Sequence, residues 1–375
     1  MKTNILYNAD CLDILKDIPD NSIDCMVTDP PYGIAFMGKD WDKALPQKNI
    51  LEECLRVLKP GAFAFIMSIP RQDCLSRMIT KLDESGFNIQ FSSIYWVYLS
   101  GKPKILSMSK SIDKKLGVTQ EIIGKQRCTG SMATATKDKG GTFASGTRIN
   151  NTGAIINLTT ATSDEAKEMD GSYGGNPLKP ALEVILVVMK PITEKTYVSQ
   201  AMDNKKGVSW LDYCKIPYTE EEKKKIKFDN PKYKNGRFPA NVLVSDDALQ
   251  DYSKYFSLDR WWQHKIKSFK NDFEETFPFI HVKKPNMAEK TCNNTIDNRH
   301  PTIKPVDLMS FLIEMGSMPD DIILDPFSGS GTTGVASMLS NRQFICIDKD
   351  EEAHHIATER LNYTELWMDE NDPTE

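Results

Sequence analysis

Residues 322–334 read IILDPFSGSGTTG, and this stretch decides the fold. The short apolar run predicts a buried strand, the glycines predict a tight loop, and the spacing that follows predicts a helix over 332–340. Glycines before a helix let the backbone approach a ligand, and the helix N-terminus favours negative charge. A strand, a glycine loop and a helix in this order indicate a parallel α/β sheet with a ligand site at its edge.

The same alternation extends on both sides of the chain's irregular middle. Towards the C-terminus we expect helices over 305–316 and 351–362 and strands over 322–324 and 344–347. At the N-terminus we expect strands over 5–8, 23–28 and 62–67, and helices over 11–18, 50–58 and 71–85. Run 62–67 is apolar throughout, as in a sheet covered on both faces. We therefore predict an α/β fold with a mostly parallel, doubly wound sheet.

The glycine loop also satisfies a dinucleotide-binding fingerprint. Gly329, Gly331 and Gly334 have the required spacing, and Asp348 lies 19 residues after the first of them. Alone, this pattern predicts a nicotinamide- or flavin-dependent oxidoreductase. Only 41 residues follow Gly334, however, so the remaining strands of the sheet must come from residues 1–99. That half carries its own unusual loop, which favours another chemistry.

This second loop is Asp29-Pro30-Pro31-Tyr32, directly after the strand predicted over 23–28. Two prolines supply no N–H and fix φ, so the chain must leave the sheet there. A carboxylate, a carbonyl oxygen and a ring can together bind the exocyclic amino group of an aromatic base. Ligands of open parallel sheets bind beyond the carboxyl ends of the strands, so neighbouring strands would bring both loops into one site.

Between these two halves the regular pattern is lost. Residues 100–180 are rich in Gly, Ser, Thr and Lys, and residues 191–295 mix lysine runs with aromatic residues. A long segment of this kind inside a compact domain usually has a function. We expect core residues 1–99, an inserted lobe over 100–299 from which strand 182–190 returns to the sheet, and core residues 300–375 ending in an acidic tail.

The net charge of −5 does not exclude a nucleic-acid partner, because the charge is unevenly distributed. Residues 101–150 contain ten Lys or Arg and three acids, a formal charge of +7, whereas residues 348–375 carry −8. The alternative to nucleic-acid binding is that this basic segment is an ordinary solvent-exposed surface.

The eight cysteines are scattered without a C-x-x-C pair. This predicts buried free thiols in a reducing compartment, with no disulfide and no metal site. The chain has no run of about 18 uncharged apolar residues and no apolar signal segment at its start. We therefore expect a cytoplasmic protein without a membrane partner.

With both loops in this order, the chain resembles the β-class DNA amino-methyltransferases, which use S-adenosylmethionine to methylate N6 of adenine or N4 of cytosine. Residues 1–99 and 300–362 resemble the catalytic core of these enzymes. Segments 107–117, 176–191 and 236–244 resemble a phage-type subgroup. The resemblance implies a Rossmann-like methyltransferase fold that is circularly permuted, with the inserted lobe recognising the target sequence in double-stranded DNA.

The resemblance also implies a cofactor site for S-adenosylmethionine. Thr302 and Lys304 would bind its carboxylate, Asp348 its ribose hydroxyls and Asp10 its adenine amino group. The family often has Glu at the ribose position, so Asp348 is a departure with a shorter reach. The alternatives are a surface position for Lys304 and a helix cap for Asp10. The remaining cofactor-site residues would be Asp29, Asp325, Pro326, Phe327, Ser328, Gly329, Ser330, Gly331, Thr332 and Thr333.

The catalytic residues implied by the resemblance are Asp29, Pro30, Pro31 and Tyr32. The Asp29 carboxylate and the Pro30 carbonyl would accept the two hydrogens of the target amino group. Tyr32 would stack on a base rotated out of the duplex, because the amino group is unreachable inside the stack. Ordinary loop packing is the alternative for Tyr32.

The basic side chains of the insertion are candidates for contacts with the DNA backbone, which give affinity without sequence information. They are Lys102, Lys104, Lys110, Lys114, Lys115, Lys125 and Arg127. For Trp261 and Trp262 we favour core packing over stacking against DNA.

A DNA N6-adenine methyltransferase is the function that these patterns favour, and the N4-cytosine enzyme is the nearest alternative. Cytosine enzymes more often have Ser at the position of Asp29. Transfer to RNA or to a protein amide, an oxidoreductase and a non-catalytic nucleic-acid-binding module are weaker alternatives. The sequence leaves open whether the protein forms a homodimer and whether it has a restriction endonuclease partner.

Overall fold

The structure is a computed structural model that describes residues 1–34, 42–98, 106–127, 155–175, 178, 181–225, 236–245, 249, 253, 255–266, 292 and 303–370. The described residues belong to two compact units. The first draws on residues 1–34, 44–98 and 181–370, and the second on residues 42–43 and 106–178.

Eight strands of the first unit form one sheet within the described residues, in the order β1-β10-β9-β2-β3-β7-β4-β8. These strands are β1 Ile5–Asn8, β2 Cys25–Thr28, β3 Phe63–Ser68, β4 Ile94–Val97, β7 Leu182–Met189, β8 Val242–Val244, β9 Ile322–Asp325 and β10 Gln343–Asp348. Strand β7 is antiparallel to both of its neighbours, and the other adjacent pairs are parallel. The predicted α/β fold with a mostly parallel sheet is confirmed.

The helices of this unit follow the predicted pattern closely in both halves of the core. They are α1 Cys11–Asp17, α2 Lys48–Val57, α3 Gln72–Glu84, α6 Tyr197–Asn204, α7 Glu220–Lys225, α8 Leu258–Ile266, α9 Val306–Gly316, α10 Thr332–Leu339 and α11 Glu351–Glu370.

Two apolar layers cover the sheet because successive strand residues point to opposite faces. Along β2, Cys25 and Val27 join one cluster, with Phe311 of α9 and Val335 of α10. Met26 between them joins the other cluster, with residues of α1, α2 and α3. All four residues of β2 and all six of β3 are buried, as the continuous apolar run predicts. The sheet is therefore doubly wound.

The segment after residue 190 differs from the predicted inserted lobe. Strand β8 pairs with β4, with Leu243 opposite Trp96, and so extends the core sheet. Trp261 is 2% exposed and packs edge-on against Phe311 at 5.0 Å between ring centroids. The described residues of 191–266 therefore group with the sheet, because their largest apolar side chains are buried against it. Core packing of Trp261 and Trp262 is confirmed.

The second unit contains helices α4 Met108–Leu116 and α5 Asp164–Glu168 and strands β5 Glu121–Arg127 and β6 Ile155–Thr160. The two strands pair antiparallel. Asp113 of α4 is fully buried and accepts hydrogen bonds from Gln120, from the backbone N–H of Thr162 and from the N–H and hydroxyl of Ser163. These bonds lower the pKa of its carboxyl. One buried carboxylate thus joins α4 to the segment that begins α5.

Seven cysteines are buried free thiols, and Cys128 lies outside the described residues. Within the part of the chain that the structure describes, no helix combines the length and apolar character needed to span a membrane.

Candidate active site

The two unusual loops lie side by side at the carboxyl edge of the sheet. Strands β2 and β9 are parallel neighbours, with Met26 opposite Leu324. Each strand ends where its loop begins, at Thr28 and Asp325. The Thr28 hydroxyl donates a hydrogen bond of 2.7 Å to Asp325 Oδ1. The predicted placement of the two loops side by side is therefore confirmed, whereas their shared function stays a prediction.

Both carboxylate oxygens of Asp29 have partners. The Tyr32 hydroxyl donates to Oδ1, and the Lys304 ammonium donates to Oδ2 at 2.5 Å. Lys304 Nζ also lies 3.4 Å from the Tyr32 hydroxyl oxygen and 5.7 Å from the ring centroid. Burial, together with the nearby Asp29 charge, raises the pKa of Tyr32 well above its usual value. Tyr32 is therefore a neutral hydrogen-bond donor in this site.

Lys304 is 9% exposed, so the surface alternative for this residue is wrong. Its ammonium forms a second ion pair, 3.3 Å from Glu183 Oε2 on β7. Burial lowers the pKa of Lys304, but Asp29 and Glu183 more than offset this effect and the net shift is upward. Lys304 is thus a buried cation between two carboxylates, and its predicted contact with a cofactor carboxylate stays a prediction.

The glycine loop passes very close to helix α11. Gly331 has φ of +77°, and a Cβ built there would lie 2.7 Å from the Ala357 Cβ. A side chain is therefore excluded twice, by backbone conformation and by space. The loop leads into α10, which begins at Thr332.

Asp325 is buried at the start of this loop. Besides the bond from Thr28, it accepts hydrogen bonds from the Thr333 hydroxyl and from the backbone N–H of Phe327. Burial raises the pKa of Asp325 to about 6, although these hydrogen bonds act in the opposite direction. The carboxyl of Asp325 therefore holds the glycine loop in its conformation.

Asp348 ends β10, and Asp10 follows two residues after the end of β1, so both acids lie at the same edge because β1 pairs with β10. Asp348 accepts hydrogen bonds from the backbone N–H groups of Gly329 at 2.7 Å and Asp350 at 2.9 Å. Asp10 caps α1 by accepting from Leu12 N–H at 3.0 Å. The helix-cap interpretation of Asp10 is correct, and the cofactor contacts of both acids stay predictions.

Arg360 is a site residue that the sequence did not reveal. It is fully buried on α11 and donates from Nη1 to the Ser330 carbonyl at 2.7 Å, to the Ser330 hydroxyl at 3.2 Å and to the Thr332 hydroxyl at 3.0 Å. An arginine inside an acidic helix gives no signal of this role. Glu183 was also missed, although a single acid within the apolar run 182–189 is a weak signal of function.

The predicted DNA-contacting residues are only partly described. Lys110, Lys114 and Lys115 are exposed on α4, and Lys125 is exposed on β5. The backbone of Arg127 ends β5. Thr302, Lys102 and Lys104 lie outside the described residues. Among the residues that are described, no group of three or more His, Cys, Asp or Glu is arranged to hold a metal ion.

The model of the N6/N4 DNA methylase family matches residues 23–359, which span both loops and both core halves. The chain belongs to this family of DNA amino-methyltransferases.

Individual relatives match over shorter stretches. The Type II methyltransferase M.BamHI of Bacillus amyloliquefaciens is 38% identical over 77 residues, 18% of each chain. The Type II methyltransferase M2.MboI of Moraxella bovis is 47% identical over 64 residues, 17% of this chain and 23% of that protein. The matched segment spans about a fifth of the length of each of these curated relatives.

Solved structures resemble the whole chain weakly. The crystal structure of M1.HpyAVI has a TM-score of 0.42 and 17% identity, with 95% of this chain and 98% of that chain covered. The cytosine-N4-specific PvuII DNA methyltransferase has a TM-score of 0.44 and 16% identity, with 98% and 92% covered. The family assignment depends on neither likeness.

Proposed function

We propose that this protein is a site-specific DNA methyltransferase that transfers a methyl group from S-adenosylmethionine to N6 of an adenine in double-stranded DNA. One observation carries the proposal: the Asp29–Tyr32 loop and the glycine loop end adjacent parallel strands and are joined by the bond between Thr28 and Asp325. A methyl donor in one loop would thus lie beside an amino group held in the other.

The side chains at the carboxyl edge of the sheet suit the groups of S-adenosylmethionine. The glycine loop is held in one conformation, because Gly331 has φ of +77° and packs against Ala357, and it leads into the N-terminus of α10. The buried hydroxyl of Ser328 has no hydrogen-bond partner among the described residues, so it is available to a bound molecule. Asp348 and Asp10 supply carboxylates next to the loop for hydroxyl and amino groups. When bound, the cofactor supplies a methyl group activated on a positive sulfonium.

The protein's part in the reaction is to prepare the amino group. Conjugation with the ring makes this nitrogen a poor nucleophile. Asp29 and the Pro30 carbonyl would accept its two hydrogens, which shifts the nitrogen lone pair away from the ring and towards the methyl donor. Lys304 and Tyr32 each donate to one oxygen of Asp29, and the amino group would take the place of one of these donors. Tyr32 is the neutral partner, and its release frees the ring to stack on the base.

Asp29 also supports catalysis through its charge. On accepting the methyl group the amine would become positively charged and would then release one proton to solvent, and the fixed carboxylate of Asp29 would stabilise this charge. Stabilisation of this kind needs groups that are already in place. The Lys304 bond to Oδ2 fixes the carboxylate before the base arrives.

Adenine is the proposed target because the loop begins with Asp29, where N4-cytosine enzymes more often have Ser. The order of the loops supports the β class and its permuted topology. The base would have to leave the duplex to reach Asp29. The exposed lysines of α4 and β5 would bind the DNA backbone, and the second unit would contribute to target recognition.

The Type II names of the two relatives support a role in restriction-modification, in which a restriction endonuclease would share the recognition sequence. The cytoplasm is the proposed location.

The test incubates purified protein with tritiated S-adenosylmethionine and unmethylated genomic DNA and identifies the modified nucleoside by mass spectrometry. We expect N6-methyladenine. N4-methylcytosine would keep the chemistry and overturn the choice of base. Cofactor binding without transfer to any DNA would overturn the proposal.

A further inference from the structure

Three charged side chains from distant parts of the sequence meet where the Asp29–Tyr32 loop begins. Lys304 Nζ lies 2.5 Å from Asp29 Oδ2 and 3.3 Å from Glu183 Oε2. Tyr98 is 5% exposed, and its hydroxyl hydrogen-bonds Glu183. Asp29 would touch the substrate, whereas Glu183 reaches it only through Lys304.

All three charged side chains are largely withdrawn from water. The side chains of Lys304, Glu183 and Asp29 are 10%, 16% and 20% exposed. A buried ammonium is costly unless carboxylates compensate it, and here two do so. Together the three groups carry one net negative charge. Without Glu183, the pair of Asp29 and Lys304 would be neutral.

The positions of the two carboxylates in the fold differ. Glu183 lies on β7, which is hydrogen-bonded to a strand on each side and is therefore part of the sheet. Asp29 begins a loop after the end of β2. A lysine side chain has four rotatable bonds and no preferred direction of its own. An anchor in the sheet would fix the ammonium, and the ammonium would fix the oxygen of the loop carboxylate.

We propose that Glu183 is a positioning residue for methyl transfer: it holds Lys304 against Asp29 Oδ2, so that Oδ1 is the oxygen presented to the target amino group. The net negative charge of the three groups would then lie near the amine that becomes positively charged on accepting the methyl group and afterwards releases a proton to solvent. This inference rests on the proposed function and adds a residue that touches neither substrate nor cofactor.

The experiment compares Glu183→Gln with wild type in single-turnover methylation of DNA, with cofactor affinity measured separately by calorimetry. Gln keeps the shape of the side chain and removes its charge. A misplaced reacting group can cost about 100-fold in rate, so we expect a fall of about 10- to 100-fold with the Kd for S-adenosylmethionine changed less than threefold.

The matched control is Glu222→Gln. The Glu222 side chain has the same 16% exposure and forms an ion pair of 2.8 Å with Arg237. The side chain also accepts a hydrogen bond from the Thr219 backbone N–H, and the Glu222 backbone N–H donates to the Thr219 hydroxyl. We expect this variant to keep the wild-type rate within twofold. A general effect of removing one half-buried acid would instead slow both variants equally, and that result would overturn the inference.

A second variant decides the question if Glu183→Gln fails to fold. Tyr98→Phe removes only the hydroxyl that holds Glu183, and we expect the rate to fall about threefold to tenfold with unchanged cofactor affinity. A wild-type rate in either folded variant overturns the role of Glu183 while the proposed function stands. A wild-type protein that binds cofactor and methylates no DNA overturns the proposed function, and the inference with it.

Discussion

Thr28, the last residue of β2, donates a hydrogen bond of 2.7 Å to Oδ1 of Asp325, the last residue of β9. Both residues are buried, and the bond joins the starting points of the Asp29–Tyr32 loop and the glycine loop. Because β2 and β9 are already paired in register, this bond fixes the relative height of the loops at the edge of the sheet. The glycine loop and the Asp29–Tyr32 loop are therefore parts of one rigid edge.

The buried carboxyl of Asp325 should make stability depend on pH. Its pKa is about 6 in the folded protein and 3.8 when unperturbed, so the folded state holds the proton more tightly. Stability conferred by this proton is full below pH 4 and is lost as pH rises to about 6. The shift corresponds to about 3 kcal/mol at higher pH.

The neutral Asp325→Asn variant removes this titration. From pH 4 to pH 7, its stability relative to wild type should improve by up to about 3 kcal/mol. Urea unfolding at several pH values measures the difference. A free energy of unfolding that changes with pH in the same way in both proteins would contradict the raised pKa of Asp325.

Gly331→Ala should damage the glycine loop more than its backbone conformation alone requires. Gly117, which directly follows α4, has a similar φ of +72° but open space where a Cβ would lie, so Gly117→Ala is the matched control. We expect the control to lose about 1 kcal/mol of stability from left-handed backbone strain. Gly331→Ala should lose more, and its cofactor affinity should fall at least tenfold. Equal losses in both variants would show that the close approach to Ala357 is unimportant.

Arg360→Lys should loosen the glycine loop from α11. Lysine is one atom shorter and lacks the planar guanidinium, so its ammonium would not reach all three partners of Nη1, and we expect about 2 kcal/mol of lost stability and a tenfold loss of cofactor affinity. Arg56→Lys is the control, because Arg56 donates to the Leu15 and Ile18 carbonyls away from the loop. Arg56→Lys should lose stability while its affinity for the cofactor stays unchanged. Thermal unfolding and calorimetry separate the two effects.

The exposed lysines of α4 should contribute to DNA affinity through phosphate contacts. Replacing Lys110, Lys114 and Lys115 by Gln should weaken binding to all sequences and lower the salt slope by about one for each lost contact. Lys167→Gln serves as the control, because Lys167 is exposed in the same unit but paired with Asp164 at 3.2 Å. Fluorescence anisotropy across a salt series measures both quantities. An unchanged slope in the triple variant would remove α4 from the DNA interface.

Much of the fold could be predicted because its signals are local. The glycine loop, the prolines after β2 and the apolar runs each occupy a few neighbouring residues, and each gave the expected element. Strand β8 has only three residues, and Trp261 lies in a short helix between polar stretches. Their burial in the core depends on partners about 50 or more positions away, such as Trp96 and Phe311, which no local pattern reveals.

The residues of the candidate site divide in the same way, into those that lie in local motifs and those that only the fold brings together. Asp29, Tyr32 and Asp325 could be predicted because they lie in motifs. Arg360 and Glu183 could not, since their roles come from ion pairs and hydrogen bonds that only the fold creates. Asp10 illustrates a residue with two compatible explanations, of which the structure supports the helix cap.

The most direct test of the shared site is Asp29→Ala, with Asp73→Ala, an exposed acid on α3, as control. Methyl transfer to DNA and binding of S-adenosylmethionine are measured on the same preparations. We expect Asp29→Ala to lose transfer while cofactor Kd stays within about threefold of wild type, because Asp29 acts on the amino group during the reaction. Transfer at the wild-type rate by Asp29→Ala would contradict the proposed mechanism.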